Sequence, residues 1–403
     1  MCNSDELTKI VSLSPTPPGN DFLTFEELGR VEKAYPLDLY YCEACNHVQL
    51  GHVVDPKILY QKNYTYVSAT SGQFVNHLKE YAESMIKRFN LKSNSLVVDI
   101  GSNDGTCLSF FKALDMNVIG VDPAIDIANK ATEDGIETIA DFFSYKLAID
   151  LNKKYGPAKY ITSHNACAHI DDLLDLVKGV EAWLSDDGIF VLEVGYLVDV
   201  YTNTWFDTIY HEHLDFHTVA PFEKLFERVG MEVIGVERIK PQGGSIRVMA
   251  QKKNGKFIRE SSVDELIAIE NKLGFNKVET FYEFENKINL VKEQLQQLVF
   301  ELKAKGKTIA GFGAPTKATT LMGHFGLDEK ILDFIVDDNP LKQGLFTPIT
   351  HIPVLSADAL YEKKPDYVLI LAWNFSEPIM DMHKRYGSEI GHFILPMPFP
   401  KVV

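Results

Sequence analysis

The segment TIYHEHLDFHT, residues 208–218, places five polar side chains within eight positions: Tyr210, His211, Glu212, His213 and His217. So dense a cluster is difficult to explain as ordinary core. Histidine and tyrosine are well suited to removing a proton from carbon and to hydrogen-bonding the enolate oxygen that results. The segment therefore predicts acid–base chemistry.

An extended strand is expected here, in which His211 and His213 face one side and Glu212 the other, because side chains alternate along a strand. A metal site built from these histidines and His217 is an alternative, but it leaves Tyr210 without a role. Structural hydrogen bonding is a second alternative. We favour acid–base chemistry over both.

A second cluster surrounds a glycine-bearing turn in SLVVDIGSNDGTCLSFF, residues 95–111. Its pattern, G-x-x-x-G, lacks the second glycine of the dinucleotide fingerprint, which favours a nucleoside without phosphates. Asp122 ends the next strand 21 residues after Gly101, about where a carboxylate binds ribose hydroxyls. These features predict an S-adenosylmethionine pocket. Its candidate residues are Asp99, Gly101, Ser102, Asn103, Gly105, Asp122, Asp141 and Phe142.

Three residues of this pocket have a proposed contact. Asp122 is expected to hold the ribose, Asp141 the adenine amino group, and Phe142 to cover the adenine ring. For Asp122 and Asp141, the alternative to a role in cofactor binding is to cap a helix at the end of a strand. His169, in NACAHIDD, follows a strand that closes the pocket and is expected beside the methyl group of the cofactor.

A third motif, GFGAPTKATT, spans residues 311–320. It begins like a dinucleotide fingerprint, but Thr316 stands where the third glycine would be, so an NAD site is not well supported. Lys317 is well placed to meet a phosphate at the start of a helix. Arg247, after the turn Gln-Gly-Gly-Ser, is a second candidate for the same anion. A hairpin with a solvated arginine is the alternative for Arg247.

The N-terminal segment contains Cys42-x-x-Cys45, which can supply two adjacent corners of a zinc site. Cys2 is the candidate third ligand, and His47 is expected to point away. Structural zinc on Cys2, Cys42 and Cys45 is favoured over unpaired thiols. Five cysteines in a chain this long are too few for a disulfide framework, which favours a reducing compartment, the cytoplasm.

Length and charge limit the function further. The chain has 403 residues and a net charge of −16, which disfavours nonspecific binding to nucleic acid or to an anionic membrane. No apolar run reaches the roughly 20 residues needed to cross a bilayer. A phosphate-bearing ligand must therefore be held by a few local groups.

Buried-strand and helix patterns alternate from about residue 95 to residue 196, which is typical of a doubly wound sheet. A second α/β unit is expected from strands near 308–312, 333–337 and 367–372. The prediction is an α/β protein in four parts. They are a zinc-ribbon-like segment (1–60), a central Rossmann-like methyltransferase domain (61–260), a helical connection (261–305) and a second Rossmann-like α/β domain (306–403).

A continuous helix is expected over residues 262–305, since apolar residues recur there at steps of four and three. We interpret this seam as core packing or as a spacer between domains. The residues of the seam are Phe284, Ile288, Val291, Leu295, Leu298 and Leu302.

Taken together, these motifs resemble the S-adenosylmethionine-dependent sugar C-methyltransferases that act on nucleotide-linked 4-keto-6-deoxy sugars. The resemblance runs through nearly the whole chain and is more specific than the methyltransferase fold alone. The motifs that carry it are CEACNHVQL, NYTYVSAT, VDIGSNDGT, YHEH, GGSIRV, GFGAPTK, DDNPLKQG and ILAWNF.

The resemblance implies methylation of carbon 3, next to the 4-ketone. His213 is then the base, and His169 or Tyr210 donates a hydrogen bond to the enolate oxygen. Glu212 is expected to orient the imidazole, and Tyr64 to line the site.

The resemblance also implies that the C-terminal unit binds the nucleotide diphosphate, with Lys317 and Arg247 on the phosphates. The family shows two CxxC pairs. Cys2 matches the second cysteine of the first pair, whose partner would precede Met1.

Two other functions are kept as alternatives. One is an NAD-dependent oxidoreductase that uses the C-terminal glycine turn. The other is a noncatalytic S-adenosylmethionine sensor, which gives no reason for the YHEH residues.

Overall fold

The computed structural model describes residues 1–60, 67–70 and 72–403. In chain order, the strands are β1 (Leu7–Thr16), β2 (Tyr35–Cys42), β3 (Val48–Leu50), β4 (Leu96–Ile100), β5 (Asn117–Val121), β6 (Thr138–Ile139), β7 (Ala158–His164), β8 (Leu184–Gly195), β9 (Asp215–Phe216), β10 (Met231–Ile239), β11 (Ser245–Lys252), β12 (Ile309–Phe312), β13 (Phe334–Val336), β14 (Val354–Leu355), β15 (Tyr367–Ile370), β16 (His392–Leu395) and β17 (Lys401–Val402).

The α-helices, in chain order, are α1 (Pro56–Tyr60), α2 (Gly72–Phe89), α3 (Thr106–Ala113), α4 (Ile125–Glu133), α5 (Tyr145–Tyr155), α6 (Leu173–Trp183), α7 (Leu197–Thr202), α8 (Val219–Glu227), α9 (Ser261–Lys272), α10 (Glu279–Ala304), α11 (Thr316–Phe325), α12 (Ala359–Lys363), α13 (Ser376–Met382) and α14 (Lys384–Glu389). None of the helices in these described ranges is long and apolar enough to span a bilayer.

Seven strands form the central sheet, in the order β10-β11-β8-β7-β4-β5-β6. The strands from β4 to β8 run parallel, and β11 runs antiparallel to both of its neighbours. β4 pairs with β5 on one side and with β7 on the other, so the connections leave β4 in opposite directions. A crevice for a ligand forms at such a point, outside the carboxyl ends of the strands. The predicted doubly wound sheet is confirmed.

A second sheet lies in the C-terminal unit, in the order β14-β13-β12-β15-β16-β17. Its strands β12, β13 and β15 confirm the three that the sequence predicts. β12 is buried throughout, and α11 begins at Thr316, just after Pro315. Proline fits this position because the first helical amides have no partner within the helix.

The N-terminal sheet has the order β1-β2-β3-β9, so its last strand comes from a distant part of the chain. β3 pairs with β9 through Val48 and Phe216 and through Gln49 and Asp215. β9 directly follows the YHEH residues. The N-terminal segment is therefore attached to the segment that carries the candidate catalytic groups.

One buried apolar cluster connects all three units in the described part of the chain. It includes Leu39 of β2, Ile161 of β7, Phe206 and Leu321 of α11. The units share a core, which restricts their relative movement.

The expected continuous helix over 262–305 is wrong, because the chain forms two helices there. α9 ends at Lys272, and Gly274 then adopts a left-handed backbone conformation with φ of +84°. A residue in this conformation typically ends a helix, and glycine adopts it without a steric penalty. Along α10 the seam is mostly as expected, but Val299 is fully buried where Leu298 was predicted.

The buried face of α10 leads to a stability prediction. Leu295 is 0% exposed and Leu290 is 46% exposed on the same helix. Leu295→Ala should destabilise the protein by about 2–5 kcal/mol, because it leaves a cavity in the core. Leu290→Ala should change stability by less than about 1 kcal/mol. Urea unfolding followed by circular dichroism measures both, and equal losses would contradict the assigned face.

Candidate active site

A cavity of about 660 Å³ lies outside the carboxyl ends of the central strands. Gly101, Asp122 and Gly195, which follow or end β4, β5 and β8, contribute to its wall. The N-terminal segment adds Asn20, and the C-terminal unit adds Lys317. All three parts of the chain therefore meet at this cavity.

The turn after β4 is held by Asp122. One carboxylate oxygen accepts a hydrogen bond from the backbone amide of Asn103 at 2.8 Å, and the other accepts one from Ala124 at 2.9 Å. Gly101 has φ of +74°, and a Cβ there would lie 2.4 Å from the Cβ of Ala166. Only glycine fits at this point without a shift of the backbone. Burial raises the pKa of Asp122.

Several buried polar atoms in this cavity make no hydrogen bond to the described residues. They are Oγ of Ser102, Nε2 of His164, and the pair Oδ1 of Asp99 and Nδ1 of His164, which lie 3.9 Å apart. An unsatisfied buried polar atom costs about 1–3 kcal/mol, so these atoms favour a polar ligand. They fit the amino-acid part of S-adenosylmethionine, and Asp122 is the residue that would hold its ribose.

The predicted cofactor residues do not all reach the cavity. Asp99, Gly101, Ser102, Asn103, Asp122 and Phe142 line it. Gly105 lies behind the turn, where it precedes α3 and faces Ile136.

Asp141, the expected ligand of the adenine amino group, is not among the residues that line the cavity. β6 ends at Ile139, and Asp141 is an exposed residue whose Oδ1 accepts a hydrogen bond from the amide of Phe142 at 2.8 Å. The side chain is therefore engaged locally.

The YHEH residues form a turn, so the expected strand is wrong. Three of them, Tyr210, Glu212 and His213, line the cavity. His211 turns away and is buried, with Nε2 located 3.2 Å from the carbonyl oxygen of Tyr35. A turn can direct neighbouring side chains to the same side, which a strand cannot.

His213 is fixed at both ring nitrogens. Nδ1 lies 2.8 Å from the carbonyl oxygen of Thr208, and Nε2 lies 2.9 Å from the hydroxyl of Tyr210. A carbonyl oxygen can only accept, so Nδ1 carries the hydrogen and Nε2 presents a lone pair. Burial lowers the pKa of His213 to about 4, which keeps the imidazole neutral at pH 7. His213 can therefore act as a base.

Glu212 does not orient the imidazole of His213, contrary to the expectation. Its Oε1 accepts a hydrogen bond from Nδ2 of Asn20 at 3.1 Å. The carbonyl of Thr208 orients the imidazole instead. Burial raises the pKa of Glu212 to about 7.

His169 lies next to His213 at the same end of the cavity. Its ring centroid is 5.1 Å from that of His213, and its other face stacks on Tyr60 at 5.9 Å. Burial lowers the pKa of His169 to about 3, so its ring is neutral as well. Tyr64, the remaining predicted residue, lies outside the described residues.

Lys317 and Arg247 are not arranged to bind the same anion. Lys317 lines the cavity, whereas Arg247 is buried in the central sheet. Arg247 donates from Nε to Glu193 at 2.7 Å and from Nη1 to Glu237 at 2.8 Å. These carboxylates already compensate its charge, so Arg247 is not the phosphate ligand that its turn suggested.

Four residues of the site escaped sequence reasoning. Asn20 lies in a turn-forming cluster that gives no sign of contact with Glu212. Thr208 acts through its backbone carbonyl, which any residue type offers. Asp207 and Trp373 meet only in the fold, where the indole Nε1 donates to Oδ2 of Asp207 at 2.6 Å. Of these four residues, only Trp373 lies in a sequence motif that indicates the function, ILAWNF.

The three predicted metal ligands come together at the N-terminal sheet. The sulfur atoms of Cys2 and Cys42 are 3.5 Å apart, and those of Cys2, Cys42 and Cys45 all lie within 4.8 Å of one another. Within the described ranges, no fourth histidine, cysteine or carboxylate joins them. As expected, His47 points elsewhere, with Nε2 at 2.6 Å from Oδ1 of Asp215.

Comparison with known proteins identifies the family. A family model described as "C-methyltransferase C-terminal domain" matches residues 240–398, and one described as "Methyltransferase domain" matches residues 74–236. A third, described as "Putative zinc binding domain", matches residues 1–60. C-methyltransferase NovU of Streptomyces niveus is 35% identical over 403 residues, which cover all of this chain and 96% of that protein. The chain belongs to the C-methyltransferase family.

The protein is therefore an S-adenosylmethionine-dependent C-methyltransferase, as the sequence predicts at this level. Solved structures also match part of the chain. PH0226 of Pyrococcus horikoshii has a TM-score of 0.38 and 15% identity over 47% of this chain and 95% of that chain. The plantazolicin methyltransferase BpumL, solved in complex with SAH, has a TM-score of 0.36 and 14% identity over 46% of this chain and 87% of that chain.

The cysteine cluster of this C-methyltransferase fits zinc. With Zn–S bonds of about 2.3 Å, sulfur atoms at two corners of a tetrahedron are about 3.8 Å apart. The sulfur of Cys2 is close to this distance from that of Cys42. Cys2, Cys42 and Cys45 would hold three corners of the site, and the metal would fix the segment before β1 against the end of β2.

Removal of a zinc ligand should release the metal. We expect about one zinc ion per chain in the wild type and close to none in Cys42→Ser, measured by inductively coupled plasma mass spectrometry. The variant should also melt at a lower temperature. Cys167→Ser, a change at a buried cysteine of the central unit, is the control and should keep the metal. A wild type that binds no zinc would contradict the assignment.

Proposed function

We propose that this C-methyltransferase acts on carbon 3 of a nucleotide-linked 4-keto-6-deoxy sugar. One observation carries the proposal: the unprotonated Nε2 of His213 lies in the same cavity as the cofactor residues. A base is useful to a C-methyltransferase only when the target carbon has an acidic hydrogen. Carbon next to a ketone meets this condition, because loss of the proton leaves an enolate.

In the proposed reaction, the C3–H bond breaks and its proton moves to Nε2 of His213. The electron pair forms the double bond of the enolate, and the former ketone oxygen takes the negative charge. Thr208 stabilises the imidazolium, because Nδ1–H continues to donate to its carbonyl. S-adenosylmethionine, when bound, would supply an electrophilic methyl group to the enolate carbon, and its sulfur would keep the electron pair of the broken S–CH3 bond and leave as S-adenosylhomocysteine.

Tyr210 and His169 are the proposed donors to the enolate oxygen. Because Nε2 of His213 carries no hydrogen, the hydroxyl of Tyr210 donates to it at 2.9 Å. When the C3–H bond approaches Nε2, this hydroxyl hydrogen turns from the nitrogen to the oxygen bound next to it. His169, neutral and close to His213, keeps one ring N–H as a donor. Glu212 is proposed to bind a hydroxyl of the sugar, and Tyr64 to line the same site.

The nucleotide end of the substrate is proposed to extend along the C-terminal unit. Thr316, Lys317 and Phe375 of this unit lie in the cavity wall. Phe375 is 46% exposed and offers an apolar surface at that side. Lys317 is proposed to bind the substrate.

The substrate assignment is tested with a panel of nucleotide 4-keto-6-deoxy sugars and isotope-labelled S-adenosylmethionine, read by mass spectrometry. The expected result is addition of one methyl group at carbon 3 of at least one member. Transfer to none of them, by protein that binds S-adenosylmethionine, would reject the proposed substrate class.

His213→Ala should lower kcat on the accepted sugar by about 10²–10⁴-fold, because the general base is lost. Binding of S-adenosylmethionine, measured by calorimetry, should stay within about threefold. His392→Ala changes an exposed histidine of β16 and should leave kcat unchanged. Equal activity of His213→Ala and wild type would contradict the assignment of the base.

Over the range where an ordinary histidine titrates, His213 itself should impose no pH dependence on the rate. The pKa of His213, lowered by burial to about 4, means that the imidazole is already unprotonated at pH 5. Glu212, whose pKa is raised by burial to about 7, titrates in this range, so the profile is measured in Glu212→Gln. In that variant we expect kcat/KM to stay level from about pH 5 to pH 7 and to fall only as the pH drops toward 4. An acid limb centred near 6.5, the ordinary histidine value, would contradict this.

A further inference from the structure

Lys317 is the only lysine or arginine among the described residues that line the cavity. The same wall includes many acidic side chains, among them Asp171, Asp172 and Asp175. A diphosphate carries at least two negative charges and is usually bound by several cations or amides. One lysine in a cavity whose wall is otherwise acidic is poor compensation for such a group, but it suffices for a single developing negative charge.

α11 holds Lys317 directly against the reaction site. Three residues after Lys317, the hydroxyl of Thr320 donates to the carbonyl of Ile209 at 2.9 Å. One residue before it, the hydroxyl of Thr316 donates to Oδ1 of Asn20 at 2.9 Å, and Asn20 donates in turn to Glu212. The helix is thus linked to the catalytic turn directly after Lys317 and through Asn20 before it.

The ammonium of Lys317 has a defined environment. Nζ donates to Oδ1 of Asn374 at 2.9 Å and lies 3.4 Å from the centroid of the Trp373 ring. The Trp373 indole is itself fixed by its hydrogen bond to Asp207. An ammonium has three N–H donors, so at least one remains for a ligand in the cavity.

We propose that Lys317 is a catalytic residue that donates a hydrogen bond to the enolate oxygen of the substrate, and not to its diphosphate. This inference rests on the function proposed above. When the C3–H bond breaks, its proton goes to Nε2 of His213 and the electron pair moves into the enolate, which leaves negative charge on oxygen. The ammonium of Lys317 stabilises this charge without transferring its own proton. A preformed donor of this kind is typically worth 10²–10³ in rate.

Lys317→Met separates the two roles, because it removes the charge and keeps the length of the side chain. The assay follows exchange of the C3 hydrogen in D₂O by NMR, with S-adenosylhomocysteine present, so that only deprotonation is measured. The substrate is the panel member that wild type methylates. Exchange should fall at least 100-fold, while the Kd values of thymidine diphosphate and uridine diphosphate, measured by calorimetry, stay within about threefold of wild type.

The opposite pattern would overturn the inference. Exchange within about threefold of wild type, whether or not diphosphate binding is weakened, would exclude a role at the enolate oxygen. Lys307→Met is the matched control, since it removes a lysine of the same unit that is ion-paired with Asp366 outside the cavity. It should leave exchange and both Kd values unchanged. A wild type that neither methylates nor exchanges any panel member would overturn the proposed function itself.

The pH profile of exchange is a second readout, which a structural role would not move. Asp207 and His213 are the titratable groups of the described residues that interact electrostatically with Lys317. Burial lowers the pKa of Lys317 to about 8, and Asp207 opposes this shift. Wild-type exchange should therefore decline as the pH rises through about 8.

Asp207→Asn keeps an acceptor for the Trp373 indole but removes the negative charge beside Lys317. The alkaline decline should move to lower pH in this variant, and it should be absent from the residual rate of Lys317→Met. An alkaline limb at the same pH in all three proteins would overturn the inference, even if Lys317→Met were less stable.

Discussion

The hydrogen bond from Thr320 to the carbonyl of Ile209 is the contact on which the reaction site depends. Ile209 lies between Thr208, whose carbonyl orients His213, and Tyr210, whose hydroxyl meets the same imidazole. Within the turn, the amide of His213 donates to the carbonyl of Tyr210 at 2.9 Å, whereas the carbonyl of Ile209 needs a partner from another element. α11 of the C-terminal unit supplies that partner, and the catalytic turn is therefore shaped by a domain remote from it in sequence.

Removal from water is the common physical cause behind the chemistry of the site. Burial disfavours the charged form of each group, so it lowers the pKa of His213 and of Lys317 and raises that of Glu212. The site therefore contains a neutral imidazole, an ammonium that titrates near neutral pH and a carboxyl group close to half-protonation. The acidic character of the whole chain contributes little to this, because screening weakens distant surface charges.

Local patterns predicted the parts of the structure that local forces form. The strand, turn and helix around Gly101 were recognised because the positive φ and the close approach of Ala166 require glycine there. The seam of α10 was visible for a similar reason, since helical spacing records a buried face. The errors arose where a distant contact decides. α11 donates a hydrogen bond to the carbonyl of Ile209, just before the YHEH turn, and Arg247 is occupied by carboxylates that only the paired strands bring together.

By itself, the sequence determined the α/β fold, the cofactor turn, the cysteine cluster and the identity of the basic groups, because residue type and short-range spacing encode these. Only the tertiary structure decided which nitrogen of His213 is basic and that Asn20, not His213, is the partner of Glu212. It also decided that Lys317 lies at the reaction site without Arg247. The reason is that hydrogen-bond partners and burial depend on neighbours hundreds of residues away, and a linear pattern does not record them.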